Sequence, residues 1–147
     1  MKTLLPFSLL LFFLSLGAAQ LSAHCQVPCG IYGDDGRFER LHEDGHTIEK
    51  AITMINELGA ADQTNYNQIV RWVMTKEDHA DHIAEVMQQY FLAQRIKGTE
   101  ENYEALLVAA HKVIVAAMKC KQGTDPAAAE ALHAALDAFQ KEYVAAH

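Results

Sequence analysis

The chain has 147 residues and a formal net charge of −7 at pH 7, from 12 Lys and Arg against 19 Asp and Glu. Its length suits one domain rather than two. An acidic chain without basic clusters argues against a nucleic acid or an anionic membrane as partner.

The first 23 residues have the three-part pattern of a secretory signal: Lys2, an apolar run over 4–16, and small residues up to Ala23. The apolar run, of about 13 residues, is too short for a bilayer core that needs about 20. We therefore expect cleavage after Ala23, a mature domain over 24–147, and export to a periplasm or the cell exterior with no membrane span in the mature form. Cleavage removes one charged residue, Lys2, and takes the net charge from −7 to −8.

Apolar residues then recur at helical spacing in four segments separated by Gly and Pro. The first runs from Asp35 to Gly59, and the second from about Asp62 to Gly98, with a possible break over 75–78. Thr99 is expected to cap the third, and Pro126 to open the fourth. The pattern predicts an all-α, up-down four-helix bundle over 35–147, preceded by an N-terminal metal-binding hook.

Cysteines and histidines in the helical part have mostly structural interpretations. Cys120 follows an apolar helical stretch and is expected to be a buried small hydrophobe. His79 and His82 lie three apart beside two aspartates, which suits a metal patch or, as the preferred interpretation, a solvated charged face. His42 and His46 are spaced for zinc but have no evident third ligand, and the histidines at 111, 133 and 147 are expected to serve the surface or packing.

Residues 24–32, His-Cys-Gln-Val-Pro-Cys-Gly-Ile-Tyr, do not fit the helical plan; we call them the hook segment. After cleavage, the His24 α-amine and the Cys25 amide nitrogen would form one chelate ring, and the Cys25 nitrogen and sulfur a second. Cys29 would return across the turn as the fourth donor. Planar coordination by two nitrogens and two sulfurs favours nickel(II) or copper(II) over zinc, and the His24 imidazole could reach an axial position.

The motif His24-Cys25-x-x-Pro28-Cys29-Gly30-x-Tyr32 resembles the nickel hook of the nickel superoxide dismutase family. The resemblance implies one nickel ion per chain held by His24, Cys25 and Cys29, with Ni(II)/Ni(III) cycling that converts superoxide to oxygen and hydrogen peroxide. It also implies a homohexamer. Tyr32 and Tyr90 resemble the two tyrosines beside the metal, and Glu39 resembles the carboxylate that orients the imidazole. Arg71 or Lys76 is the candidate basic partner of Glu39.

Two alternatives remain at this point. Cys25 and Cys29 could form a plain disulfide in an oxidising compartment. For the whole chain, the alternative to a redox enzyme is an exported, non-catalytic helical bundle that binds metal, as a metal chaperone does, or that is stapled by a disulfide.

Overall fold

The computed structural model describes residues 26–27 and 29–146. The predicted signal segment 1–23 lies outside the described residues, as do His24, Cys25 and Pro28 of the hook segment. Every secondary-structure element in the described part of the chain is a helix. None of these helices has the length and apolar character needed to span a membrane.

The helices are α1 (Asp35–Ala60), α2 (Tyr66–Glu85), α3 (Tyr103–Gln122) and α4 (Pro126–Ala146), and α2 continues directly into a π-helix (Val86–Arg95). Each helix packs on its chain neighbours, and α4 returns to pack on α1. This arrangement confirms the predicted all-α four-helix bundle. The possible break over 75–78 is absent, because α2 runs through these residues.

Local capping explains where two of the helices begin. Asn65 accepts a hydrogen bond from the Gln68 amide at the start of α2, and Asp125 accepts one from Ala127 before α4. Pro126 opens α4 as predicted. The prediction that Thr99 caps α3 is wrong: residues 97–103 make two successive turns, and α3 begins only at Tyr103.

The apolar faces of the four helices and the π-helix meet in one core. At the end nearest the hook segment this core is aromatic, with ring centroids 5.0 to 5.9 Å apart. The rings belong to Phe38, Phe91, Phe139 and Tyr143. By contrast, an apolar patch on the first half of α2 is exposed to solvent, with Tyr66, Val70 and Met74 each more than half exposed.

Lys76 is a buried cation on α2 whose ammonium group caps another helix. Its Nζ donates hydrogen bonds to the carbonyl oxygens of Cys120, Lys121 and Gly123 at 2.6 to 2.9 Å. These carbonyls belong to the C-terminal end of α3, where no helical partner exists for them. Cys120 is fully buried, as expected, and burial raises the pKa of its thiol.

Candidate metal centre

The hook segment ends in a tight turn built on left-handed backbone. Cys29 has φ 51° and Gly30 φ 74°, and the Cys29 amide donates to the Gln26 carbonyl at 3.0 Å. A left-handed conformation is uncommon for a residue with a side chain, so surrounding contacts must hold it. A second turn follows, in which the Gly33 amide donates to the Gly30 carbonyl at 3.1 Å.

Gln94 supplies one of these contacts by binding both backbone groups of Gln26. The Gln26 amide donates to Gln94 Oε1 at 2.8 Å, and Gln94 Nε2 donates to the Gln26 carbonyl at 3.1 Å. A side-chain amide can satisfy a donor and an acceptor at once, as a neighbouring strand would. The backbone of Gln26 is therefore attached to the helical bundle beside the Cys29 turn.

Arg95 supplies the second contact. A Cβ atom added to Gly30 would lie only 2.7 Å from Arg95 Cζ, so the guanidinium packs directly against the glycine backbone. Both the left-handed φ and this close approach favour glycine at position 30.

Asp34, at the N-terminus of α1, is the centre of a polar cluster with Tyr90, Arg95 and Tyr143; we call these four residues the Asp34 cluster. Arg95 donates to Asp34 Oδ2 through Nε at 3.0 Å and through Nη2 at 2.8 Å. The Tyr143 hydroxyl donates to the same oxygen, and the Tyr90 hydroxyl donates to Oδ1. Arg37 adds a further cation, 4.4 Å above the centroid of the Tyr90 ring.

These contacts shift the ionisation of the Asp34 cluster. Burial disfavours the charged carboxylate, but hydrogen bonds from Tyr143, Tyr90 and Arg95 outweigh it and lower the pKa of Asp34 below its ordinary value. Burial, together with the hydrogen bond to Asp34, raises the pKa of Tyr90 and of Tyr143. Asp34 is therefore ionised at neutral pH, and both phenols remain neutral hydrogen-bond donors.

The π-helix explains how Tyr90, Gln94 and Arg95 reach one site. On an ordinary α-helix, residues five apart lie about 140° apart around the axis. Bonding from i to i+5 lengthens each turn by about one residue, and the Ile96 amide indeed donates to the Phe91 carbonyl at 2.9 Å. Tyr90 and Arg95 therefore lie on one face, toward Asp34, while the neighbouring Gln94 binds Gln26.

Tyr32 lies beside a groove on the surface next to the Asp34 cluster. Its side chain is 87% exposed. The groove has a volume of about 440 Å³, and among its lining residues are Tyr32, Arg37, Arg40 and His82. Arg37 and Arg40 place two guanidinium groups along this groove, and Arg40 Nη1 also lies 2.9 Å from Glu43 Oε2.

The remaining predicted site residues lie in different surroundings. Tyr90 is fully buried, with its hydroxyl on Asp34. Glu39 is exposed on α1, and its predicted partner His24 lies outside the described residues. Lys76 cannot pair with Glu39, because its ammonium group is held by the carbonyls at the end of α3. Arg71, the other candidate, is exposed on α2.

A second polar cluster joins α1 and α2 around Asp44, which is fully buried. His79 Nδ1 lies 2.6 Å from Asp44 Oδ1, and His82 Nδ1 lies 2.5 Å from Oδ2. The preferred interpretation of these histidines as part of a solvated charged face is therefore wrong. Asp44, in the middle part of α1, draws both rings onto a buried carboxylate, because that carboxylate needs hydrogen-bond donors.

Sequence reasoning did not identify Asp34, Gln94, Arg95 or Tyr143 as residues of this site. One signal for Asp34 was available, since an aspartate directly before a helix reads as an N-cap. Its side chain makes no capping bond, however, and turns to the tyrosines instead. The π-helix that aligns Gln94 and Arg95 has no sequence signal comparable to an apolar repeat.

The comparison with protein families agrees with the hook motif. The model of the family described as nickel-containing superoxide dismutase matches residues 19–147, which is most of the chain and includes the whole hook segment. No curated protein and no solved structure matches the chain. A match over this length confirms the resemblance, and the chain belongs to the nickel-containing superoxide dismutase family, an oxidoreductase with nickel as its cofactor.

Proposed function

We propose that the enzyme disproportionates superoxide at the hook segment, with His24, Cys25 and Cys29 as nickel ligands. The observation that carries this proposal is the attachment of the Cys29 turn to the bundle by Gln94 and Arg95. Catalytic ligands on a short loop need such support, because loose ligands would not keep one geometry.

The described donor fits nickel. Cys29 is a thiol on a turn that reverses the chain, so its side chain can join donors that precede Gln26 in sequence. Sulfur and nitrogen donors from one short segment suit a planar nickel(II) site. Bound nickel would supply one-electron chemistry, alternating between Ni(II) and Ni(III) as one superoxide is oxidised to oxygen and the next is reduced to peroxide with two protons.

The chain's own residues would bind substrate and hold the site still. Superoxide is a small anion, and the cationic side chains of Arg37 and Arg40 lie along the groove beside Tyr32. Tyr32 would limit access to the metal from solvent. Tyr90 would support the site indirectly, through the hydrogen bond that its hydroxyl donates to Asp34. Glu39 is proposed to orient the His24 imidazole.

Export and assembly complete the proposal. Signal cleavage after Ala23 would create the α-amine ligand of His24, so that processing is part of metal binding. We also propose the hexamer of the family. The exposed apolar patch of Tyr66, Val70 and Met74 on α2 supports self-association, since residues four apart share one helix face.

The test begins with the processed N-terminus. Intact mass and N-terminal sequencing should show a chain that starts at His24, and metal analysis should give one nickel per chain with superoxide dismutation. A chain that starts at Gln20 or earlier and still shows full activity would overturn the role of the α-amine.

A pair of cysteine variants then separates the ligand from other thiols. Cys29→Ser should abolish nickel-dependent dismutation while the helical circular dichroism is unchanged. Cys120→Ala is the matched control, because it removes a buried thiol from α3, and should retain both nickel and activity. Activity retained in Cys29→Ser would exclude the proposed ligand set.

A further inference from the structure

A group of three potential metal ligands lies between α1 and α4, away from the hook segment. His46 and Glu49 are three residues apart on α1, and His133 comes from α4. His46 Nδ1 lies 3.6 Å from Glu49 Oε2, and His133 Nε2 lies 3.3 Å from the same oxygen. One ligand atom from each of the three residues falls within 4.8 Å of the others.

These distances suit a divalent metal. With bonds of about 2.0–2.1 Å to nitrogen and oxygen, donors around a tetrahedral zinc ion are about 3.4 Å apart. Two of the three separations are already close to this value. His46 is mostly exposed, so its ring can turn toward the other two without disturbing the core.

His133 gives independent evidence, because its Nε2 atom is buried and has no hydrogen-bond partner in the described part of the chain. A buried polar nitrogen without a partner is costly. His133 Nε2 lies 3.3 Å from Glu49 Oε2, but the two groups are not oriented to form a hydrogen bond. A metal ion between the two groups would satisfy this nitrogen.

The backbone of α1 is shaped to admit the His133 ring. Gly45 is buried in the middle of the helix, where glycine costs about 1 kcal/mol relative to alanine. A Cβ at position 45 would lie 3.1 Å from His133 Cε1 and 3.3 Å from Nδ1. Glycine therefore lets the ring lie against α1, beside His46 and Glu49.

We propose that His46, Glu49 and His133 form a second divalent-metal site, with zinc as the cation of matching chemistry. Two imidazoles and one carboxylate are a zinc ligand set that leaves the fourth position to water. The site ties α1 to α4, and His46 is about 16 Å along the helix axis from Asp35, at the hook end of α1. Its role is to stabilise the bundle, and the nickel centre works without it.

The test is zinc titration of the processed, nickel-loaded protein, with cobalt(II) absorption as a second probe of the ligands. We expect wild-type protein to bind one more zinc ion than His133→Ala. We also expect Glu49→Gln, an exposed and isosteric change that cannot unfold the bundle, to weaken zinc binding at this site by about tenfold or more. His111→Ala, which removes an exposed histidine of α3, is the matched control and should bind as wild type does.

A stability readout accompanies the titration. Zinc should raise the melting temperature of wild type and of His111→Ala, and should have a smaller effect on Glu49→Gln and His133→Ala. Equal zinc stoichiometry and affinity in wild type, Glu49→Gln and His133→Ala would overturn the proposal and leave a plain histidine–carboxylate contact.

Discussion

At the residue scale, the site depends on one carboxylate that connects three parts of the chain. Asp34 precedes α1, accepts hydrogen bonds from Tyr90 and Arg95 of the π-helix, and accepts another from Tyr143 of α4. Arg95 in turn packs against Gly30 of the hook segment. A change at Asp34 should therefore be felt both in stability and in the geometry of the turn.

We predict that Asp34→Asn lowers the free energy of unfolding at neutral pH by about 2 kcal/mol or more, because it leaves Arg95 without its buried counter-charge. The pKa of Asp34 is lowered from 3.8 in the folded chain. Its stabilising contribution is thus complete above about that value and is lost as the pH falls through the lower folded pKa. Urea unfolding across this range should show wild type and variant converging in acid.

The control is Asp35→Asn, which removes one negative charge from the exposed carboxylate next to Asp34. It should cost a few tenths of a kcal/mol, through its position in the first turn of α1. A difference between wild type and Asp34→Asn that stays constant from neutral to acidic pH would contradict the role given to the carboxylate.

A second prediction at this scale concerns Gln94. Gln94→Ala removes two hydrogen bonds to the Gln26 backbone. At about 1 kcal/mol for a typical hydrogen bond, we expect roughly a tenfold loss of nickel affinity or somewhat more, with the helices intact. Competition with a chelator measures the affinity. Gln89→Ala, an exposed change on the same π-helix, should leave the nickel affinity unaltered. Equal affinities in the two variants would contradict the role given to the Gln94–Gln26 hydrogen bonds.

At the element scale, the π-helix decides how the bundle meets the hook segment, and a buried lysine caps α3 and ties it to α2. The π-helix places Tyr90 and Arg95 on one face. A regular α-helix over the same residues would separate these two side chains around its axis. Lys76 joins α2 to the end of α3 by a buried ammonium group. Both features concern the backbone hydrogen bonds of a helix rather than its apolar stripe.

Lys76→Met tests the second feature. The variant keeps much of the volume but leaves the carbonyl oxygens of Cys120, Lys121 and Gly123 without their donor. We expect a loss of about 1–3 kcal/mol in the free energy of unfolding and faster amide hydrogen exchange in the last turn of α3. The control is Lys112→Met, which replaces an exposed lysine of α3 itself. Unchanged amide hydrogen exchange at the end of α3 in Lys76→Met would argue against capping by Lys76.

At the scale of the whole molecule, an acidic chain presents a locally cationic groove to an anionic substrate. The formal charge of −7 repels superoxide in general. Arg37 and Arg40 lie along the groove next to Tyr32, with Arg40 also paired to Glu43 at 2.9 Å, and are proposed to offset that repulsion locally. Such focusing acts through long-range charge, so its effect on rate depends on ionic strength.

We predict that Arg40→Gln lowers the second-order rate of superoxide removal about two- to fivefold at low salt, and that the difference shrinks as salt screens the charge. Stopped-flow or pulse-radiolysis measurements over a salt series would show it. Arg71→Gln changes the net charge equally on an exposed part of α2 and should have a smaller effect. Identical salt dependence in the two variants would count against steering by the groove.

The helical segments and the family resemblance of the hook motif could both be predicted from patterns along the chain. Apolar spacing and helix caps are local, so the start of α4 at Pro126 and the buried stripe of Ile83, Met87 and Phe91 could be predicted. The hook motif is one contiguous segment, so its resemblance to the nickel superoxide dismutase family can be recognised without knowing the fold. Local reasoning failed at Thr99, where two turns precede α3. Apolar spacing also does not reveal that Tyr66 and Val70 remain exposed.

The residues that surround Asp34 and the Cys29 turn could be identified only from the packing of the helices. Asp34, Tyr90, Arg95 and Tyr143 are separated by up to 109 positions, and they meet because π-helical bonding and the return of α4 bring them to one end of the bundle. The same holds for His133, which reaches Glu49 and His46 across the α1–α4 contact. Residue spacing describes one helix at a time, whereas these contacts depend on how helices pack against each other.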